Sequence, residues 1–188
     1  MTRIRLIEPE QAPITARPYY AHGDPGPIVS ALAHVPELLE VAMPFLGTVL
    51  GPSALPLRTK EIVILRTSAL AGCAFCIDTH TVVARDGGLS PDEVRALRGE
   101  ATAEVFDRAD EAVLLRWVDE VATVPGEPDE AVCTAMRAHF GQAGLVELTT
   151  LVGATLLLNR LATSLKLPTS EETRQRLAAE ELTGVGMA

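Results

Sequence analysis

Four side chains capable of acid–base or redox chemistry lie in one stretch, EIVILRTSALAGCAFCIDTH, which runs from Glu61 to His80. Cys73 and Cys76 form a CxxC pair, and His80 follows four residues later. Because a helix turns by about 100° per residue, Cys73, Cys76 and His80 are expected on one helical face. At a helix N-terminus, the dipole and the unpaired N–H groups favour the thiolate of the first cysteine. A histidine beside the thiols can move a proton to or from sulfur. The spacing therefore predicts a redox-active dithiol.

Glu61 is the fourth member of this group, although periodicity alone does not aim it at the thiols. On one continuous helix it would lie about 120° away from their face. A bend at Gly72, just before Cys73, would bring it round to His80. A carboxylate bonded to the imidazole would fix its tautomer and raise its basicity. We therefore expect a His80–Glu61 pair beside the dithiol.

Metal binding is the main alternative use of these side chains. Zinc would need a fourth ligand in addition to Cys73, Cys76 and His80, and only Glu61 is at hand to supply it. The sequence offers no second CxxC, so we predict neither a metal nor a bound cofactor. Cys133 stands alone on a helix and is expected to be a small core residue.

The whole chain limits the function further. Its 188 residues suit one domain, and a hydrophobic fraction of 47% with only 4% aromatics is typical of closely packed helices. A net charge of −9 disfavours nucleic acid as a partner. The apolar run 148–158 is too short to span a bilayer, and residues 1–18 do not resemble a signal peptide. With a CxxC in place of a disulfide framework, these features predict a cytoplasmic protein that binds no membrane.

Turn and cap residues divide the chain into an arm and one helical domain. Prolines and glycines in residues 1–27 exclude a long helix there and predict an extended N-terminal arm. Residues 28–188 read as a single all-α domain, because no run alternates like a strand. The redox motif 61–80 lies inside it. Ser90-Pro91-Asp92-Glu93 is a strong helix start, and Gly141 separates two helices. Helices are expected at about 28–34, 36–50, 56–71, 73–85, 90–98, 107–124, 129–140, 145–165 and 170–182.

The spacing of Glu61, Cys73, Cys76 and His80 resembles the signature of the alkylhydroperoxidase D-like branch of the carboxymuconolactone decarboxylase superfamily. The flanking residues 60–66 and 69–73 are similar to that family too, and 148–165, with Asn159-Arg160-Leu161, looks like its closing helix. The resemblance implies an all-helical bundle that assembles into homotrimers or homohexamers. It also implies that Cys76 attacks a peroxide, that Cys73 closes the disulfide, and that His80 and Glu61 relay protons.

This chain departs from the family's pattern at one residue, and the helix-dipole argument disagrees with the family's assignment on one point. The best-known antioxidant members carry a histidine inside the CxxC, where this chain has Phe75. In addition, the helix-dipole argument makes Cys73 the more acidic thiol, whereas the family assigns the attack to the second cysteine. We follow the family and expect Cys76 to attack.

The function predicted from these observations is a thiol-dependent hydroperoxidase or disulfide oxidoreductase. It would act on a peroxide or a small disulfide and would take electrons from an external thiol-redox reductant. Two alternatives stay open. One is a helical oligomer that senses oxidants or binds metal without turnover. The other is a decarboxylase-like acid–base enzyme, whose activity would survive loss of both cysteines but not loss of His80.

Overall fold

The computed structural model describes residues 1–183 and is all-helical over that range, as predicted. The last five residues of the predicted domain 28–188 lie outside the described range. The ends of the helices fall within a few residues of the sequence prediction. The helices are α1 (Pro27–Leu32), α2 (Pro36–Leu50), α3 (Leu57–Leu70), α4 (Ala74–Asp86), α5 (Pro91–Leu97), α6 (Ala109–Val121), α7 (Glu130–Leu165) and α8 (Glu171–Ala179).

Helix α3 is the centre of the fold, because it packs against α4, α6 and α7. It is buried almost all round, with Ile62, Val63, Ile64 and Leu65 at most 2% exposed. A helix that is buried on every side has no amphipathic face, so its polar residues must find partners inside the protein. This requirement applies directly to Lys60, Glu61 and Ser68.

Helix α7 is bent at Gly141, which adopts φ 67° and ψ −179° in the middle of the run. The predicted break at this glycine is therefore present, but the second helical part follows directly instead of beginning at residue 145. By length and composition α7 is the single described helix that could cross a membrane, and 39% of its most apolar window is buried inside the protein. Since it packs against α3 and α6, we describe it as a core helix.

Lys60 fastens α2 to the centre of the fold. Its side chain is 2% exposed, and Nζ donates to the carbonyl oxygens of Val49 (2.9 Å) and Gly51 (2.7 Å) at the end of α2. Nζ also lies 2.9 Å from a carboxylate oxygen of Glu147 on α7. A buried ammonium is tolerated only when it is hydrogen-bonded and its charge is compensated; here two carbonyls accept from it and Glu147 supplies the negative charge.

The N-terminal arm lies across the body of the same chain. It contains two short 3₁₀ helices, Pro9–Gln11 and Arg17–Tyr20. Its first residues are held by backbone hydrogen bonds from Arg3 to the carbonyl of Leu165 (2.9 Å) and from Ile7 to the carbonyl of Ser30 (3.3 Å). Ile4 and Leu6 pack against the apolar cluster that contains both CxxC cysteines. The arm thus covers the side of the fold where the thiols lie.

Candidate active site

A tight turn between α3 and α4 places the CxxC motif at a helix N-terminus. Gly72 has φ 66°, a left-handed conformation that favours glycine, and Cys73 is the N-cap of α4. The backbone N–H of Cys73 donates to the carbonyl of Ser68 (3.0 Å), which closes the turn. The two helices therefore run back along each other, and a residue early in α3 can meet one midway along α4.

The two thiols are in direct contact. Their Sγ atoms lie 2.7 Å apart and share a hydrogen bond, and Cys73 Sγ also accepts from the backbone N–H of Cys76 at 3.4 Å. Both side chains are reduced and buried, with Cys73 0% and Cys76 5% exposed. The free N–H groups of a helix end are suited to stabilising a thiolate in the N-cap position.

These contacts separate the acidities of the two thiols. The hydrogen bond from Cys76 lowers the pKa of Cys73 to about 6 despite its burial, with help from Thr163, the Cys76 backbone N–H and Asn159. The same contact and burial raise the pKa of Cys76. Near neutral pH the pair therefore holds one proton and one negative charge, with the charge resting mainly on Cys73.

A cavity of about 490 Å³ lies against the dithiol on the Cys76 side. Cys76 lines it, whereas Cys73 does not. Its wall is mostly apolar and includes Met43, Leu46, Leu50, Ile64 and Leu158. A cavity of this size and character suits a small organic molecule, and the few polar groups in its wall would set the orientation of that molecule.

His80 and Glu61 meet at the wall of this cavity, as expected from the bend at Gly72. His80 Nδ1 lies 2.9 Å from Oε2 of Glu61, whose side chain is only 4% exposed. Because a carboxylate only accepts hydrogen bonds, Nδ1 carries the proton. Among the described residues Nε2 makes no hydrogen bond, and His80 lines the same cavity as Cys76. The structure thus brings all four predicted site residues together, while their catalytic roles stay predictions.

Two further residues of the site were missed in the reasoning from sequence. Asn159 of α7 and Ser68 of α3 both line the cavity and are buried, and Asn159 Nδ2 donates to Ser68 Oγ at 3.0 Å. The sequence does contain one indication of Asn159: it is an amide in an otherwise apolar helical run, and a buried amide needs a hydrogen-bond partner.

Over residues 1–183 no group of three or more His, Cys, Asp or Glu side chains is arranged to hold a metal ion.

The all-helical fold of this chain, with its CxxC at a helix N-terminus, matches that of alkylhydroperoxidase D-like proteins. A peroxidase-related protein from Ralstonia eutropha JMP134, described as an alkylhydroperoxidase AhpD core, superposes with a TM-score of 0.79 at 19% identity, covering 92% of this chain and 94% of that one. The debrominase Bmp8, in complex with 2,3,4-tribromopyrrole, gives a TM-score of 0.75 at 16% identity, with 96% of this chain and 100% of that one covered.

Sequence comparison gives a partial match to a known family. Residues 36–120, from α2 to α6, match the model of the carboxymuconolactone decarboxylase family. The alkyl hydroperoxide reductase AhpD of Gluconacetobacter diazotrophicus is 35% identical over 71 residues, which are 37% of this chain and 36% of that protein. The resemblance predicted from the four site residues is thereby confirmed. All four lie within the matched segment, whereas Asn159 lies outside it.

Proposed function

We propose that this protein is a thiol-dependent hydroperoxide reductase that works through a Cys73–Cys76 dithiol–disulfide cycle. The observation that carries the proposal is the 2.7 Å contact between two buried thiols at the wall of an apolar cavity. The AhpD-like fold and the matched family segment support a peroxidase-related role. The remaining steps follow from the chemistry of the four site residues.

The first step transfers one oxygen atom to sulfur. The proton of Cys76 moves across the shared hydrogen bond to Cys73, which leaves the thiolate on the sulfur that lines the cavity. Cys76 Sγ attacks the terminal oxygen of the hydroperoxide, so an S–O bond forms and the O–O bond breaks. His80, held by Glu61 through Nδ1–H, takes a proton from solvent on Nε2 and passes it to the departing alkoxide. The products are a Cys76 sulfenic acid and an alcohol.

The second step closes the disulfide, and the third returns the enzyme to its starting state. Cys73 attacks the sulfenic sulfur, the S–O bond breaks, and water leaves with the thiol proton. An external dithiol then reduces the disulfide by exchange and is itself oxidised. We place this cycle in the cytoplasm, where thiol reductants are abundant, and in a homotrimer or homohexamer.

The test is a count of free thiols by mass spectrometry before and after one equivalent of cumene hydroperoxide. Wild-type protein should lose two thiols and form a Cys73–Cys76 disulfide. Cys76→Ser should form none, while the matched control Cys133→Ser should behave as wild type at the CxxC. If wild-type thiols stay reduced, the hydroperoxide reductase is ruled out. Activity of another kind that survives both Cys73→Ser and Cys76→Ser would point to acid–base chemistry at His80.

Thiol-dependent removal of bromine from a small ring is the second candidate, because the cavity has room for a flat apolar ring beside Cys76. The two thiols would supply both electrons: the ring exchanges bromine for hydrogen, the disulfide forms, and hydrogen bromide is released. Bromide release from 2,3,4-tribromopyrrole, measured against alcohol formation from cumene hydroperoxide, separates the two candidates.

A further inference from the structure

The carboxamide of Asn159 is a buried polar group with unused hydrogen-bonding capacity. Its residue is 1% exposed and lies in the wall of the cavity that contains Cys76. One N–H of Nδ2 donates to Ser68 Oγ at 3.0 Å, and Ser68 is itself fully buried. Oδ1 is buried and has no partner among the described residues. An amide has two N–H donors, so one donor and one acceptor are left over in the cavity wall that Cys76 shares.

Leaving a buried amide half-satisfied is unfavourable, so its position calls for a physical reason. If position 159 served only to pack the core, leucine would be more favourable there, because it has a similar size and no polar atoms that need hydrogen bonds. The neighbouring threonine on the same helix shows the ordinary arrangement, since Thr155 Oγ1 donates to the carbonyl of Leu151 at 2.8 Å and is satisfied within the helix. Asn159 instead directs its amide out of the helix, toward Ser68, in the wall of the cavity that Cys76 also lines.

We propose that Asn159, held in place by Ser68, is a catalytic residue of this site that hydrogen-bonds the negative charge shared by Cys73 and Cys76. The inference rests on the proposed dithiol chemistry and adds a fifth group to it. Asn159 lowers the pKa of both thiols through a side-chain hydrogen bond, so it favours the anion on either sulfur. Hydrogen bonds to a charged acceptor are about twice as strong as neutral ones.

This arrangement explains how charge can move between the sulfurs. The anion rests on Cys73, which does not line the cavity, yet the attack requires it on Cys76, which does. Thr163 and the backbone N–H of Cys76 lower the pKa of Cys73 only. Asn159 acts on both sulfurs, so the charge keeps one hydrogen-bond donor as it moves from one to the other. The residue thereby lowers the cost of forming the attacking thiolate.

The experiment is a titration of thiolate ultraviolet absorbance against pH in a Cys133→Ala background, without any peroxide. Asn159→Leu removes the amide and keeps the volume, and Ser68→Ala removes only the group that holds it. Thr155→Val is the matched control, because it removes a buried hydroxyl from the same helix and cavity wall. The other ionisable side chains at the cavity, His80 and Glu61, do not contribute to thiolate absorbance.

Asn159→Leu should reduce the ratio of thiolate to thiol at pH 6 about tenfold, since one charge-assisted hydrogen bond corresponds to roughly one power of ten in the proton equilibrium. Ser68→Ala should give a smaller loss in the same direction, and Thr155→Val none. An unchanged titration in a folded Asn159→Leu variant would overturn the inference. If that variant does not fold, an unchanged Ser68→Ala titration has the same meaning. Because no oxidant is used, failure of wild type to react with hydroperoxide would count against the proposed function alone.

Discussion

Replacing Cys76 by alanine should remove most of the acidity of Cys73. The hydrogen bond from Cys76 is the largest of the effects that lower the pKa of Cys73 to about 6, and burial opposes it. Without that donor, the buried thiolate keeps only the weaker help of Thr163, Asn159 and one backbone N–H. Cys76→Ser keeps an O–H donor at the same position and should restore part of the effect.

The size of the change follows from the strength of one hydrogen bond to a charged group, about 1.5–3 kcal/mol. Since 1.36 kcal/mol corresponds to a tenfold change in the proton equilibrium, the thiolate becomes roughly ten- to a hundredfold less favoured. At pH 6 about half of Cys73 is thiolate in the wild type, and in Cys76→Ala the fraction should fall to about a tenth or less.

The assay is thiolate absorbance against pH, again in the Cys133→Ala background, so that Cys73 is the remaining cysteine of Cys76→Ala. Absorbance is preferable to alkylation, because Cys73 is 0% exposed and alkylation also depends on access. A Cys76→Ala curve with its midpoint still near 6 would refute the reasoning, since the charge would then be stabilised without the neighbouring thiol. A wild-type midpoint near the ordinary cysteine value of about 8.5 would refute it as well.

Three further outcomes are expected. Glu61→Gln should slow disulfide formation with cumene hydroperoxide about tenfold or more, because His80 loses the carboxylate that orients it. Stopped-flow measurements should show that binding of the hydroperoxide is unchanged. Lys60→Met should lower the free energy of unfolding by about 3 kcal/mol in urea, because two carbonyls lose their donor and Glu147 loses its counter-ion. An unaltered urea midpoint would contradict this. Ser90→Ala should cost about 1 kcal/mol in the same assay by removing the capping box, with Ser90→Gly costing less.

Much of the fold could be predicted from local signals. The capping box at Ser90 is present, with Glu93 N–H donating to Ser90 Oγ at 3.2 Å, and Gly72 and Gly141 both mark turns with positive φ. Such signals involve residues close together in the sequence, so they can be recognised without knowledge of tertiary contacts. The predicted end of α6, Val124, lies three residues beyond the observed end, Val121, because helix ends fray and depend on packing.

The site was predictable where it depends on spacing and unpredictable where it depends on distant contacts. The CxxC, His80 and Glu61 lie within 20 residues of one another, and the turn at Gly72 decides their geometry. Asn159 meets Ser68 across 91 residues, and no periodicity encodes that contact. The burial of Lys60 could not be predicted from the sequence either, because the carbonyls of Val49 and Gly51 become its neighbours only when α2 packs against the rest of the fold.

The N-terminal arm, which lies over the thiols, bears on the order in which parts of the protein fold. The guanidinium of Arg3 bonds the carbonyl of Ser164, and its backbone bonds that of Leu165, so the start of the chain is fastened about 160 residues downstream. Ile4 and Leu6, which follow Arg3 directly, pack against the apolar cluster around Cys73. Because long loops close at an entropic cost that local helix contacts do not carry, the helix that holds the CxxC can form well before its cover arrives. We therefore expect the thiols of a newly made chain to be more accessible before the arm closes than they are in the folded protein.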